Sequence, residues 1–173
     1  MAGSAGTYRA PVTAAGMPGE LRTAVPADAH VLAALDRLVN PSRWTESQFR
    51  VACSGQTDGG ERAIVLDDGG QPVGFAVFSR VLDEACIHNI AVHPLRQRSG
   101  LGALLLAAVL KLVEKEGAAR CFLEVRVSNL PAHRLYAKFG FKPDGIRRNY
   151  YSTTEGREDA LVMSRSLIEG STA

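Results

Sequence analysis

The chain has 173 residues, 46% of them apolar, with 20 Lys and Arg against 18 Asp and Glu and a formal net charge of +2. That length suffices for one domain with a sizeable core, and so balanced a charge excludes the strongly basic surface of a nucleic-acid binder. Cys53, Cys86 and Cys121, like His30, His88, His93 and His133, are scattered without CxxC or helical i, i+4 spacing, which predicts neither a metal site nor a disulfide framework. The cysteines read as small buried hydrophobes in a reducing cytosol.

Residues 1–20 are small, nearly uncharged and broken by Gly and Pro; without the continuous apolar core of a signal peptide they are predicted to be a disordered leader. No run reaches the ~20 apolar residues of a membrane span, so a cytoplasmic protein with no membrane partner is expected. "LRTAV" alternates as a strand, and Pro26 opens a helix on which Val31, Leu32, Leu35 and Leu38 recur at helical spacing. Asn40 and Pro41 end it, and Thr45 caps a second, shorter helix carrying Phe49 and Val51, with Trp44 as a packing anchor.

Two β-rich runs flank Asp67, Asp68, Gly69 and Gly70, residues suited to a hairpin turn with positive φ. "CIHNIAV" is the next strand, ended by His93 and Pro94. From Leu101 a buried helix runs to about Gly117, "CFLEVRV" is a strand, "PAHRLYAKFG" a helix, and "GREDALVMSRSL" closes the domain as a strand. Helices alternating with strands at the centre, with hairpins on both flanks, predict an α/β fold with a mixed sheet and helices on both faces.

Between the strand "CIHNIAV" and the buried helix lies "RQRSGLG". A strand, a glycine turn and a helix start converge unpaired backbone amides and the positive end of the helix dipole on one point, which suits a phosphate. Neither the GxxxxGK phosphate loop nor a GxGxxG dinucleotide fingerprint is present, and QxxGxG by itself is equally a plain structural turn. Glu124, mid-strand among apolar neighbours, reads either as a working carboxylate or as half of a salt bridge to Arg126 or Arg134. Tyr136 lies on an apolar helical stripe, where a tyrosine is core or catalyst.

"NIAVHP" followed by "QRSGLG", then "LEVRVSNLPAHRLYAKFGF", resembles the Gcn5-related N-acetyltransferase (GNAT) family. "SRWTESQF", "VLDEACIHNIAV", "LEVRVSN", "LYAKFGF" and "RRNYYSTTEGREDALVM" further resemble its bacterial ribosomal-protein-alanine branch, the RimI type, over roughly residues 21 to 165. The resemblance implies the GNAT acyl-coenzyme A fold, mainly antiparallel in its sheet, with acetyl-CoA as donor and no metal. It places the domain at residues 21–168, leaving 169–173 as a disordered tail.

The resemblance also implies roles. Glu124 matches the general base and Tyr136 the acid that protonates the coenzyme A thiolate. Ile90, Ala91 and Val92 match the strand that pairs with the pantetheine arm. Gln97 begins the pyrophosphate motif, and Arg98, Ser99, Gly100, Leu101, Gly102 and Ala103 match its cradle. Asn129 matches a cofactor contact and is also placed to cap the helix ahead of Pro131. The implied reaction is direct ternary-complex acetylation of the α-amine of an N-terminal alanine, on a small-subunit ribosomal protein as partner.

An α-amine near pKa 8 is neutral about 10% of the time at pH 7, roughly 300-fold more often than a lysine, which favours an N-terminal acceptor. Other protein N-termini, lysine or a small amine remain the alternative acceptors, and a coenzyme A binding module without turnover is the non-enzymatic one. "RRNYYSTTEGRED" is the implied acceptor-side loop, in which Glu155, Glu158 and Asp159 either face a basic peptide or are solvated. The sequence leaves oligomeric state and the direction of the His88 ring open.

Overall fold

A computed structural model describes residues 8–12, 19–55 and 59–168. Among these residues eight strands form one sheet: β1 (Arg9–Val12), β2 (Gly19–Thr23), β3 (Arg62–Asp68), β4 (Gln71–Val81), β5 (Glu84–Val92), β6 (Arg120–Arg126), β7 (Lys142–Thr153) and β8 (Gly156–Ser166). Four α-helices accompany them: α1 (Ala29–Val39), α2 (Glu46–Cys53), α3 (Leu101–Lys115) and α4 (Leu130–Lys138). The sheet order is β1-β2-β3-β4-β5-β6-β8-β7. Among the described residues only β5 and β6 run parallel, as the α3 crossover between them requires.

The helices divide between the two faces of the sheet as the alternation implies. On one face α3 buries Leu101, Leu105, Leu106 and Val109 against Ile64, Phe78, Ile87 and Leu123, and Leu135, Tyr136 and Phe139 from the α4 region pack at its edge. On the other, Leu32 and Leu35 of α1 and Phe49 of α2 close over Val65, Phe75 and Val77. Leu38 and Val51, expected on the apolar stripes, instead stand out to solvent, each in the last turn of its helix.

The local signals act as their chemistry predicts. Gly69 and Gly70 turn β3 into β4 with φ of 59° and 85°, values a β-carbon would resist. The Thr45 hydroxyl oxygen accepts from the Gln48 amide at 3.2 Å and opens α2. Within the leader, β1 pairs antiparallel with β2, and the Tyr8 amide donates to Thr23 Oγ1 at 2.9 Å. Covering the open edge of β2 gives these few residues a backbone reason to be ordered. The expected tail, 169–173, lies outside the described residues.

Two irregularities shape the functional face. Val77 pairs with Asn89 and Phe78 with Ile87, leaving His88 as an extra residue in β5. Since Ile87 and Ile90 both pack toward α3, the bulge turns His88 and Asn89 together toward the opposite face. In β7, Arg147 pairs with Ala160 and Tyr151 with Glu158, so residues 148–150 face Asp159 alone. Asn149 takes φ 53° there, with its amide donating to Asp159 Oδ1 at 2.8 Å.

Candidate active site

β5 and β6 pair only from Glu84 with Arg120 to Ile87 with Leu123. Beyond that point they part, although β5 continues to Val92 and β6 to Arg126. The backbone of β5 from His88 onward is therefore laddered to β4 on one side and, among the described residues, to no strand on the other. A cavity of about 430 Å³ occupies the parting, lined by residues that include Trp44, Cys86, His88, Ile90, Glu124, Asn129, Tyr136, Tyr150 and Tyr151.

Strand alternation aims the carboxylate. Cys121, Leu123 and Val125 are buried in the α3-side core, so Phe122, Glu124 and Arg126 face the other way. Arg147 Nε lies 2.8 Å from Glu124 Oε1; the salt-bridge partner is thus neither Arg126 nor Arg134, because β7, unrecognised in the sequence, brings Arg147 across β8. The Tyr150 hydroxyl donates to the same carboxylate, and that bond, aided by partial burial, pushes its pKa up. An arginine 58% exposed contributes under about 1 kcal/mol as an ion pair, so Glu124 is oriented without being sealed off.

On α4, burial pushes the Tyr136 phenol up to about 12, with nearby Tyr151 adding to the shift. The ring tilts against Phe141 at 5.9 Å. Asn129 Oδ1 accepts from the Ala132 amide at 3.2 Å, so this residue does cap the helix. Burial raises the Cys86 thiol to about 11 and keeps it neutral. His88 bonds Ser79 Oγ through Nε2 at 2.8 Å, which answers where its ring points, and burial lowers its pKa against the opposing pull of Glu61 and Glu124.

The wall opposite β6 rests on a carboxylate missed in the sequence. Asp36 is fully buried on α1; it accepts from the Asn40 side chain, from Asn89 Nδ2 at 2.9 Å and from the Trp44 amide at 2.7 Å. It thereby fixes the loop after α1 to the β5 bulge, and three donors compensate the cost of burying it. Its signal was available: an acid on the Leu32, Leu35 stripe of an amphipathic helix.

The glycine turn lies past the end of β5. Gln97 Nε2 donates to the Val92 carbonyl at 3.1 Å and Ser99 Oγ to the Arg96 carbonyl at 2.5 Å. Positive φ occurs at Arg98 (63°) and Gly100 (84°), not at Gly102. The backbone conformation therefore does not demand glycine at 102. The first ladder bond of α3 runs from Leu104 to Gly100 at 3.0 Å, which leaves the amides of Leu101, Gly102 and Ala103 ahead of it, at the positive end of a 15-residue helix. Ile90, Glu124, Asn129 and Tyr136 thus meet in one cavity. Ala91 and Val92 are buried in the strand leading from it to the turn.

"RRNYYSTTEGRED" is a hairpin rather than a loop, formed by β7, a two-residue turn and β8. Glu158 receives Arg126 and the Ser128 amide, and Asp159 receives Arg148 and the Asn149 amide. Both acids are engaged inside the fold. Among the described residues no cluster of three metal-ligating side chains occurs, and no helix is long and apolar enough to cross a membrane.

Residues 30–141, which span the parted strand pair, the bulge and the glycine-led helix, match the acetyltransferase (GNAT) family. The chain belongs to that family. It is an N-acetyltransferase, and its mixed, mostly antiparallel sheet is the GNAT fold. A "[ribosomal protein bS18]-alanine N-acetyltransferase" of Escherichia coli K12 is 46% identical over 123 residues, 70% of this chain and 79% of that protein. The crystal structure of the ribosomal-protein-S18-alanine N-acetyltransferase from Escherichia coli superposes with a TM-score of 0.80 at 36% identity, covering 90% of this chain and 98% of that one. Arabidopsis thaliana NAA60 in complex with acetyl-CoA shares the fold, with a TM-score of 0.75 at 18% identity over 86% and 98% of the two chains.

Proposed function

We propose that this enzyme transfers acetyl from acetyl-CoA to the α-amine of an N-terminal alanine on a small-subunit ribosomal protein. The observation that carries the reading is one cavity, at the parting of β5 and β6, holding both an oriented carboxylate and a protonated phenol. The names of the relatives support the acceptor.

The donor enters as an added strand along β5, its pantetheine amides meeting the unladdered backbone near Ile90, Ala91 and Val92. Its pyrophosphate sits on the amides of residues 98–103, with Gln97 bracing the turn and Asn129 at the cavity mouth. The neutral amine nitrogen attacks the thioester carbonyl carbon; Glu124 takes the amine proton directly or through water, and the C–S bond breaks as Tyr136 donates to the departing sulfur. A phenol at about 12 is always protonated at working pH. Full transfer to a thiolate of about 8.5 is uphill, so Tyr136 stabilises the departing thiolate through its hydrogen bond and the sulfur is protonated to the extent that solvent restores the phenol's proton.

Mass spectrometry after incubation with acetyl-CoA and peptides beginning with alanine, beginning with bulkier residues, or carrying only an internal lysine tests the acceptor. Preferential modification of the alanine α-amine is expected; preferential lysine modification overturns it. The pH profile follows from the two protons involved. Activity should rise about tenfold per pH unit up to the α-amine pKa near 8 and then stay level to pH 10, since Tyr136 keeps its proton to about 12. A descending limb below pH 10 removes Tyr136 as the acid.

The cradle has its own test in Gly102→Ala. The added β-carbon meets only Leu135 Cδ2 at 3.6 Å, an ordinary contact, so Tm should not move by more than about 2 °C. Acetyl-CoA affinity should fall about tenfold if the amides there approach phosphate oxygens closely. Unchanged affinity by calorimetry places the pyrophosphate elsewhere.

A further inference from the structure

The Arg126 side chain is only 12% exposed, and a cation so placed persists only if its donors are matched. Its Nη1 donates to Glu158 Oε2 at 2.9 Å, and its Nη2 to Ser42 Oγ at 2.5 Å and to the Ser152 carbonyl at 3.3 Å. Its guanidinium stacks 4.3 Å over the Tyr151 ring. These partners come from the loop after α1, from β7 and from β8. Tyr151 in turn lies edge-on to Tyr150 at 5.0 Å, whose hydroxyl reaches Glu124.

The backbone of the same residue points to the donor side. Its carbonyl accepts from the Asn129 amide at 3.0 Å and from His133 Nε2 at 2.9 Å, on the helix that carries Tyr136. Glu158 Oε1 takes the Ser128 amide at 2.9 Å. We infer that Arg126 is a positioning residue for the acceptor: it draws the loop after α1 and the β7–β8 hairpin together over the cavity, in register with α4, and so sets peptide binding while leaving donor binding alone. A planar fork of donors is what three simultaneous oxygen partners and a stacked ring require, and a lysine ammonium offers neither the fork nor the stacking plane.

The inference rests on the proposed acetylation of a peptide amine. For Arg126→Met, the KM for an alanine-starting peptide should rise at least ~10-fold, while the Kd for acetyl-CoA stays within about twofold; Arg126→Lys should recover little of the loss. Ser42→Ala alone should raise the peptide KM about threefold and add nothing further in the Arg126→Met background. An unchanged peptide KM, additive effects, or equal weakening of both substrates overturns the inference. If Arg126→Met does not fold, Ser42→Ala and Glu158→Gln, which reach the guanidinium from opposite sides, carry the same comparison.

Hydrogen exchange supplies a readout that needs no acceptor. Arg126→Met, or Glu158→Gln in its place, should speed exchange in residues 40–44 and 148–153 together and leave α3 unchanged. Protection as in the unsubstituted protein in both segments refutes the clasp. Failure of the unsubstituted enzyme to acetylate any peptide would instead refute the proposed acceptor.

Discussion

Tyr136→Phe is expected to lower kcat for an alanine-starting peptide by ~100- to 10,000-fold, with acetyl-CoA affinity within about twofold of the original. Only the hydroxyl is lost: the ring keeps its place against Phe141 and the α3-side core, so folding and donor binding have no reason to change. Glu124→Gln, which keeps shape and a hydrogen-bonding oxygen for Tyr150 but cannot accept a proton, should show a similar loss. Single-turnover acetylation separates chemistry from product release. Near-normal single-turnover rates in either variant would take that residue out of the proton transfers.

The second large effect concerns stability. Phe49 is fully buried, edge-on to Phe75 at 5.0 Å and tilted to Trp44 at 5.5 Å. Phe49→Ala opens a cavity beneath α2, and such truncations cost about 3–5 kcal/mol. For a chain of this size that is a fall in Tm of roughly 6 to 20 °C. Calorimetric melting with and without acetyl-CoA checks it, and a fall under about 3 °C would mean that α2 is not an integral part of the core.

How far the sequence was readable follows from what each residue answers to. The Gly69-Gly70 hairpin, the Thr45 cap and the α3 stripe were legible because their signals are local: a φ requirement, an unsatisfied amide, a 3.6-residue period. β7 was not, since nearly every one of its residues is exposed and a strand without a buried face has no alternation to detect. That one omission hid Arg147 as the partner of Glu124 and let a hairpin pass for a loop. The bulge at His88 was equally silent, because register belongs to a strand pair and not to either strand alone.

Glu124 and Tyr136 became candidates through the family resemblance, since residue type alone favoured a salt bridge for the one and a core position for the other. The carboxylate that braces the site, Asp36, was within reach of sequence logic. An acid on an apolar stripe calls for partners, and Asn40 lies one helical turn ahead of it.

The exposure of β7 also bears on how such an enzyme can change. The strand that carries Tyr150 and Tyr151 over the cavity buries almost nothing, so substitutions at those of its positions that make no ion pair, positive-φ turn or ring contact are nearly free of folding cost. Those along β5 and α3 disturb the core directly. New acceptors can therefore be sampled at the rim by single substitutions while the donor half of the site stays fixed, a division of the molecule into a rigid engine and an exchangeable faceplate.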